Sequence, residues 1–268
     1  MDESDFDQAA DSHAESPIYQ AIRVHTYGQD IGQRRWLTVD EHAVFITWLG
    51  LSERSRVLEV ACGTGGPTLY MVSITGCRAI GIDLEERRVR AAHVQAKRLG
   101  VSARATFDCA DANARLPYDG GTFDAVICID AINYLANRAR SMADWRRVLK
   151  PGGRVLFTDP VVVAGPVTAA EIAERSASPA FVYVPVGYDD RCITEAGFQL
   201  RWCEDVTANA TAVARRWHTA RTTYADALRE LEGDEGYDAR QRFLATTERL
   251  GAERRICRVV YLIERPEA

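Results

Sequence analysis

A glycine-rich turn is the first stretch of the chain whose residue types could bind a ligand. Residues 57–61 are apolar apart from Glu59, and the chain then runs Cys62-Gly63-Thr64-Gly65-Gly66-Pro67 before a helical pattern begins. Glycines let the backbone approach a ligand, and a helix start presents free N–H groups and the positive end of the helix dipole. The pattern predicts a ligand site here, although a tight turn without any ligand would look the same.

An acidic residue at the end of the next apolar segment narrows the ligand class. Asp83 follows Gly81-Ile82 and lies 20 residues after Gly63, a spacing at which a carboxylate accepts hydrogen bonds from both ribose hydroxyls of a nucleoside. S-adenosylmethionine and NAD both contain such a nucleoside. A dinucleotide turn requires G-x-G-x-x-G, but Thr68 occupies the third glycine position. An NAD-dependent oxidoreductase therefore stays only as an alternative.

Four ordered motifs resemble the class I S-adenosylmethionine-dependent methyltransferases of the small-molecule type. They are Glu59 to Gly65, Asp83, Ala110-Asp111-Ala112 with the later Phe123-Asp124, and Leu149 to Arg154. The flanks more loosely resemble the sarcosine and dimethylglycine methyltransferases. The resemblance implies S-adenosyl-L-methionine as cofactor, Asp83 on the ribose, Asp111 on the adenine amino group and the Ala112 backbone against the ring. The full set of implied cofactor-binding residues is Glu59, Ala61, Gly63, Gly65, Asp83, Leu84, Asp111, Ala112 and Ile129. Ala61 departs from the family's usual glycine.

The methyl acceptor is expected beyond the fourth strand, because ligands of open parallel sheets bind at the strands' carboxyl ends. Asp130 and Tyr134 follow that strand, and His25 with its neighbour Tyr27 could close over the cofactor from the N-terminal segment. Asp130, Tyr134 and His25 are the predicted catalytic residues; for Asp130, a helix-capping role is the alternative. Methyl transfer mainly needs alignment and exclusion of water, so the choice among N-, O- and C-methylation stays open.

The elements that must position these residues alternate between apolar strands and helices from Arg56 to Thr158. This pattern predicts an α/β fold: a Rossmann-like, doubly wound, seven-stranded sheet, mostly parallel, with one reversed C-terminal strand at 256–264. After an acidic tail at 1–16, a single domain is expected over 17–268. Its cofactor half is about 50–158, and its acceptor half is 159–268 with the N-terminal helices 17–50.

Apolar residues in the last third recur at helical spacing from Val213 through Trp217 and Tyr224 to Leu231, which predicts one long amphipathic helix. A second helix is expected at about 239–250. We expect these insertions, together with Ile18 and Ile22 of the N-terminal helix, to form a helical lid over the acceptor. A subunit interface is the alternative, so a homo-oligomer stays open.

Composition excludes several function classes. The formal net charge is −5, and the base-methylating Asp/Asn-Pro-Pro-aromatic run is absent after the fourth strand, so we expect no nucleic-acid partner. No apolar run reaches the roughly 20 residues of a membrane span. Seven cysteines without a C-x-x-C pair predict reduced thiols, no metal site and a cytoplasmic protein. The expected partner is a small-molecule acceptor. A non-catalytic protein that binds S-adenosylmethionine is the remaining alternative.

Overall fold

The computed structural model describes residues 16–176 and 180–267. Its centre is one sheet whose strands lie in the order β3 (Ala105–Cys109), β2 (Arg78–Asp83), β1 (Arg56–Val60), β4 (Phe123–Cys128), β5 (Leu149–Val163), β8 (Ile256–Glu264) and β7 (Gln199–Asp205). Strands β1 to β5 pair in parallel, whereas β8 runs antiparallel to both of its neighbours. This confirms the predicted doubly wound sheet with a reversed last strand. A two-residue strand, β6, adds a short parallel pairing to β5.

The first half of the sheet follows the alternating pattern closely. Its strands and helices, in chain order, are α1 Pro17–Tyr27, α2 Val39–Leu49, β1 Arg56–Val60, α3 Gly66–Thr75, β2 Arg78–Asp83, α4 Glu86–Arg98, β3 Ala105–Cys109, β4 Phe123–Cys128 and α5 Arg138–Val148. A short 3-10 turn, Ile132–Tyr134, separates β4 from α5. Four of the five residues of β1 are buried, as expected for a strand covered by helices on both faces.

The second half contains a longer strand and several insertions. Its elements are β5 Leu149–Val163, α6 Ala169–Arg175, β6 Val184–Pro185, α7 Tyr188–Glu195, β7 Gln199–Asp205, α8 Thr207–Thr223, α9 Ala225–Ala252 and β8 Ile256–Glu264. Strand β5 continues past Thr158, where the predicted alternation ends, because its continuation pairs with β6 and with the start of β8.

Two helix starts are capped by polar side chains. Ser16 accepts a hydrogen bond from the Tyr19 backbone N–H, with Pro17 at the first helical position, and Thr38 accepts one from the Glu41 N–H. Thr38 forms only half of a capping box with Glu41. The Glu41 carboxylate forms an ion pair with Arg258 instead of returning to the backbone, so it joins α2 to β8.

The single long helix predicted through Leu231 is wrong. Helix α8 ends at Thr223, Tyr224 takes a non-helical conformation, and α9 begins at Ala225 with a kink at Gly233 (φ 75°). The apolar stripe is therefore divided between two helices that pack on each other. Its predicted contact with the N-terminal helix is confirmed: Tyr19 and Ile22 lie in one cluster with Ala220 and Leu228.

Candidate functional site

A cavity of about 490 Å³ lies at the carboxyl ends of the parallel strands. One side consists of the loops after β1, β2, β3 and β4. The other consists of residues 17–37 and 207–252, which we name the helical cover. The residues of the cover that line the cavity include Tyr19, Ile22, Tyr27, Leu37 and Trp217. The cavity thus joins the predicted cofactor loops to segments far away in the sequence.

Asp83 ties the glycine turn to the second strand. Its Oδ2 accepts a hydrogen bond from the Gly63 backbone N–H at 2.8 Å, and its Oδ1 accepts one from the Glu85 N–H at 3.0 Å. Asp83 is only 6% exposed and lines the cavity. A buried carboxylate that borders a cavity at this strand end has the chemistry required to accept hydrogen bonds from a ribose.

Gly63 and Gly65 of the turn have different surroundings. Gly63 has φ +58° and lines the cavity, and a Cβ placed on it would have no atom within 4 Å, so its open side faces space that a ligand can use. Gly65, with φ +79°, would place a Cβ 2.8 Å from the Phe107 ring and 2.9 Å from the Ala92 Cβ. Gly65 is required by helix–sheet packing and does not line the cavity.

Glu59 is a buried acid at the inner end of the cavity. It accepts a hydrogen bond from the Thr68 hydroxyl. Burial raises the pKa of the Glu59 carboxyl to about 7, and the Thr68 hydrogen bond only partly opposes this. A carboxyl with such a pKa becomes ionised readily when a cation is placed beside it.

The other predicted cofactor residues lie around the same cavity: Ala61, Leu84, Asp111, Ala112 and Ile129. Leu84 is 66% exposed. Of the nine predicted cofactor residues, only Gly65 does not line the cavity.

Asp130 is held by four hydrogen bonds. Its Oδ1 accepts from Arg258 Nε at 2.7 Å and from the Thr158 hydroxyl at 2.8 Å. Its Oδ2 accepts from the Trp36 backbone N–H at 3.1 Å and from Arg258 Nη2 at 3.3 Å. Asp130 has φ +52° and is 3% exposed. These contacts join the loop after β4 to β5, β8 and the N-terminal segment, so the geometry favours positioning over proton transfer.

The other two predicted catalytic residues lie in different places. Tyr134 lines the cavity, and its hydroxyl accepts a hydrogen bond from Arg35 Nη2 at 2.7 Å. His25 is exposed on the opposite side of α1 and borders a separate depression with Asp40 and Arg216. The prediction that His25 closes over the cofactor is not supported by this geometry, because α1 presents Ile22 and Tyr27 to the cavity instead.

The helical cover is fixed to the cofactor loops by close backbone packing. A Cβ on Gly66 would lie 2.1 Å from the Ile31 carbonyl oxygen, so only glycine allows residues 31–32 to lie against the start of α3. The buried Tyr27 donates its hydroxyl hydrogen to the Arg35 carbonyl at 2.9 Å. The segment after α1 is therefore part of the cavity wall.

Sequence reasoning missed the arginines of the cavity. Arg23, Arg34, Arg35, Arg221 and Arg240 line it from the helical cover. Arg221 forms an ion pair with Glu232 at 2.6 Å, and the Tyr19 hydroxyl also bonds to Glu232. The sequence carries only a weak signal for these arginines. Because lysine is nearly absent from the chain, arginine is found both on the surface and in binding sites.

Neither a metal cluster nor a membrane-spanning helix is found in the part of the chain that the structure describes. There, no group of three or more His, Cys, Asp or Glu side chains is arranged to hold a metal ion. No helix among the same residues combines the length and apolar character needed to cross a membrane.

Residues 57–153 match a family described as a methyltransferase domain. Over 162 residues the chain is 31% identical to 27-O-demethylrifamycin SV methyltransferase of Amycolatopsis mediterranei, a match covering 59% of each protein. The chain thus spans less than two thirds of the length of the curated relatives it matches.

Solved structures share the fold over more of the chain. A structure described as a sarcosine dimethylglycine methyltransferase, from Galdieria sulphuraria, has a TM-score of 0.76 at 14% identity and covers 85% of this chain and 84% of its own. The 4+2 cyclase SpnF has a TM-score of 0.77 at 21% identity, covering 100% of this chain and 98% of its own. At these identities the likeness establishes the fold alone.

Proposed function

We propose that this chain, whose residues 57–153 match a methyltransferase domain, transfers a methyl group from S-adenosylmethionine to a small-molecule acceptor. One observation carries the proposal. A single cavity contains the glycine turn, Asp83, Asp111 and the aromatic side chains of a helical cover. Cofactor and acceptor can then meet in one cavity, where an in-line displacement requires them to be aligned.

The residues around the glycine turn fit S-adenosylmethionine. The open side of Gly63 leaves room for the cofactor beside the turn, and Asp83 is placed to receive the ribose hydroxyls. Glu59 would attract the cationic amino-acid end of the cofactor, and Asp111 with Leu84 would border the adenine. When bound, S-adenosylmethionine supplies an activated methyl on a sulfonium.

The acceptor would lie between Tyr134 on one side and Tyr27 with Trp217 on the other. These side chains can enclose an organic molecule and exclude water. Asp130 would act as a positioning residue, since its four bonds fix the loop that carries Ile129 and Tyr134. The name of the 31%-identical relative gives a natural product as its acceptor, which supports a metabolite or natural product here.

A protein that binds S-adenosylmethionine without transferring its methyl is the second candidate, because the fold extends over the whole of SpnF, a protein named as a cyclase. Methyl-labelled S-adenosylmethionine incubated with a metabolite panel distinguishes the two. We expect the label in a small-molecule product together with an equal amount of S-adenosylhomocysteine. Binding of S-adenosylmethionine with no labelled product from any amine, hydroxyl or carbon acceptor would favour the second candidate.

A further inference from the structure

A buried cluster of one arginine and two aspartates joins three elements outside the cavity lining. Arg138 at the start of α5, Asp159 on β5 and Asp189 on α7 are each at most 1% exposed. Arg138 Nη1 donates to Asp159 Oδ2 at 2.5 Å and to the two Asp189 carboxylate oxygens at 2.8 and 3.0 Å. None of the three side chains lines the cavity, so the site described above does not use them.

The charges of this cluster do not balance if both aspartates are ionised. One guanidinium would then face two carboxylates away from water, and the remaining negative charge would be costly to bury. A single proton held by the two carboxyl groups removes that excess. Burial and the neighbouring charge of Asp159 raise the pKa of Asp189 well above its ordinary value, and Arg138 only partly opposes this. The cluster therefore holds one proton at pH values where an exposed aspartate has none.

The same arginine anchors a segment that supports Tyr134. Arg138 Nη2 donates to the Val182 carbonyl at 2.9 Å, and the Val182 N–H donates to the Asn133 carbonyl at 2.8 Å. Val182 is thereby fixed between α5 and the 3-10 turn that carries Tyr134. The ring of its neighbour Phe181 meets the Tyr134 ring edge-on, with 4.9 Å between the ring centres. The buried cluster is therefore connected to a side chain that lines the cavity.

The other titratable and charged groups around the two aspartates keep one charge state near neutral pH. Among the described residues they are Tyr188, Asp190, Arg191 and Cys192 on α7, Cys203 on β7 and Tyr261 on β8. Burial raises the pKa values of Cys192, Cys203 and Tyr261, which keeps these side chains neutral. Asp190 and Arg191 are charged side chains that do not bond to Arg138. A proton exchanged near neutral pH in this region therefore belongs to Asp159 and Asp189.

We propose that Arg138 is a positioning residue for Tyr134, and that one proton shared by Asp159 and Asp189 keeps it in that role. This inference rests on the proposed function, in which Tyr134 borders the acceptor. With the proton bound, the cluster is neutral and Arg138 holds residues 181–183 against Tyr134. When the proton is lost to solvent, the two carboxylates repel each other and the anchor on Val182 loosens. The Tyr134 ring is thus fixed at the acceptor end at low pH and less restrained as the pH rises.

The nuclear magnetic resonance signal of the Tyr134 ring tests this inference. We would label the full chain with tyrosine that carries ¹³C at the ε positions and assign the Tyr134 signal with a Tyr134→Phe sample. The signal would be followed from about pH 5 to about pH 8.5, a range in which free tyrosine, with a pKa of about 10, does not ionise. In the wild-type chain the signal should move in one ionisation step, because the buried proton is lost within this range.

Three variants separate the parts of the proposal. Asp189→Asn should abolish the step and keep the signal at its low-pH position, because the amide has the shape of a protonated carboxyl and can still donate to Asp159. Phe181→Leu should also abolish the step, since it removes the ring contact with Tyr134. Arg138→Lys keeps the charge but lacks the second nitrogen that bonds to Val182, so its signal should be displaced at every pH.

The matched control is Asp190→Asn, at the residue next to Asp189 on α7. Asp190 makes no hydrogen bond to Arg138 among the described contacts, so this variant should keep the wild-type step. Melting temperatures establish that each variant is folded.

Three results would overturn the inference: a wild-type signal that does not move with pH, a step that persists in Asp189→Asn or Phe181→Leu, or an undisplaced signal in Arg138→Lys. A step that is lost in Glu59→Gln but kept in Asp189→Asn would assign the titration to Glu59, whose pKa is also raised, and would overturn it as well. Titration of the same samples with S-adenosylhomocysteine tests the proposed function separately. Failure of the wild-type chain to bind it would count against the proposed function itself, whatever the Tyr134 signal does.

Discussion

The two sides of the cavity are built in different ways. The cofactor side consists of consecutive strand–turn–helix units from 56 to 130, and Gly63 and Asp83 are joined by one hydrogen bond 20 residues apart. The opposite side is assembled from 17–37 and 207–252, which apolar packing and hydrogen bonds to the Thr26 and Trp36 carbonyls bring together over nearly 200 residues. Local sequence therefore determines the cofactor side of the cavity, whereas contacts between distant segments determine the opposite side.

The largest expected effect concerns the cofactor side. Asp83→Ala would remove two charge-assisted hydrogen bonds to the ribose, each worth about 1.5–3 kcal/mol, so affinity for S-adenosylhomocysteine should fall at least about 100-fold. Asp119→Ala, at an exposed aspartate outside the cavity, is the matched control. Calorimetric titration measures both, and unchanged affinity in Asp83→Ala would remove the ribose assignment.

The next effect concerns the contacts that assemble the acceptor side. Arg258 is 1% exposed and bonds to both Asp130 and Glu41, so Arg258→Gln should lower the free energy of unfolding by about 3–5 kcal/mol. Arg254→Gln breaks an exposed pair with Asp205 near the same strand and should cost at most about 1 kcal/mol. Urea denaturation compares them. Equal losses would mean that the buried network does not hold the two sides together.

Substitutions at Gly63 and Gly65 should affect cofactor binding and stability differently, although the two residues are only two positions apart. Gly65→Ala places a methyl against Phe107 and Ala92 and should cost about 1–3 kcal/mol of stability by overpacking. Gly63→Ala meets no atom, so it should cost only about 1 kcal/mol of backbone strain while weakening S-adenosylhomocysteine binding. Melting curves and titrations of both variants check this. A Gly63→Ala protein with wild-type affinity would contradict the assigned position of the cofactor.

The smallest effect is a pH dependence. Ionised Glu59 would bind the cofactor's cationic end, and its pKa lies at about 7. Affinity for S-adenosylhomocysteine should therefore fall as the pH drops below about 7, by at most about tenfold per unit. In the free protein the sign is opposite: the raised pKa adds stability that is complete below the ordinary value of 4.5 and is lost as pH rises through about 7.

The Glu59→Gln variant is the control for this pH dependence. Glutamine keeps the shape of the side chain and can still accept the Thr68 hydrogen bond, but it does not titrate. Its affinity for S-adenosylhomocysteine should be nearly flat between pH 6 and pH 8. The same slope in wild type and Glu59→Gln would assign the titration to another group.

The sequence predicted the cofactor side well because its signals are local. The strand before Gly63, the spacing to Asp83 and the order of the motifs all lie within one stretch of alternating strands and helices. The prediction of one uninterrupted helix was wrong at Tyr224, because helical spacing alone does not reveal where one helix ends and the next begins. The positions of Arg35 and Arg258 could not be predicted, since each depends on contacts between distant segments.

Contacts between distant segments also limited the prediction of the catalytic residues. Asp130 and Tyr134 were found because a strand end leads directly to the cavity, but the four donors around Asp130 come from distant parts of the chain. His25 was chosen for its chemistry in a segment whose orientation was unknown. In the structure the helix turns it outward, and its neighbour Tyr27 lines the cavity instead.

Equilibrium titration of the full chain with S-adenosylhomocysteine and, separately, with NADH tests the central claim most directly. We expect saturable binding of one S-adenosylhomocysteine per chain and no measurable binding of NADH. Thr68 stands where a dinucleotide turn needs its third glycine, and the open side of Gly63 faces a single cavity shared with the acceptor. Saturable binding of NADH without binding of S-adenosylhomocysteine would contradict it.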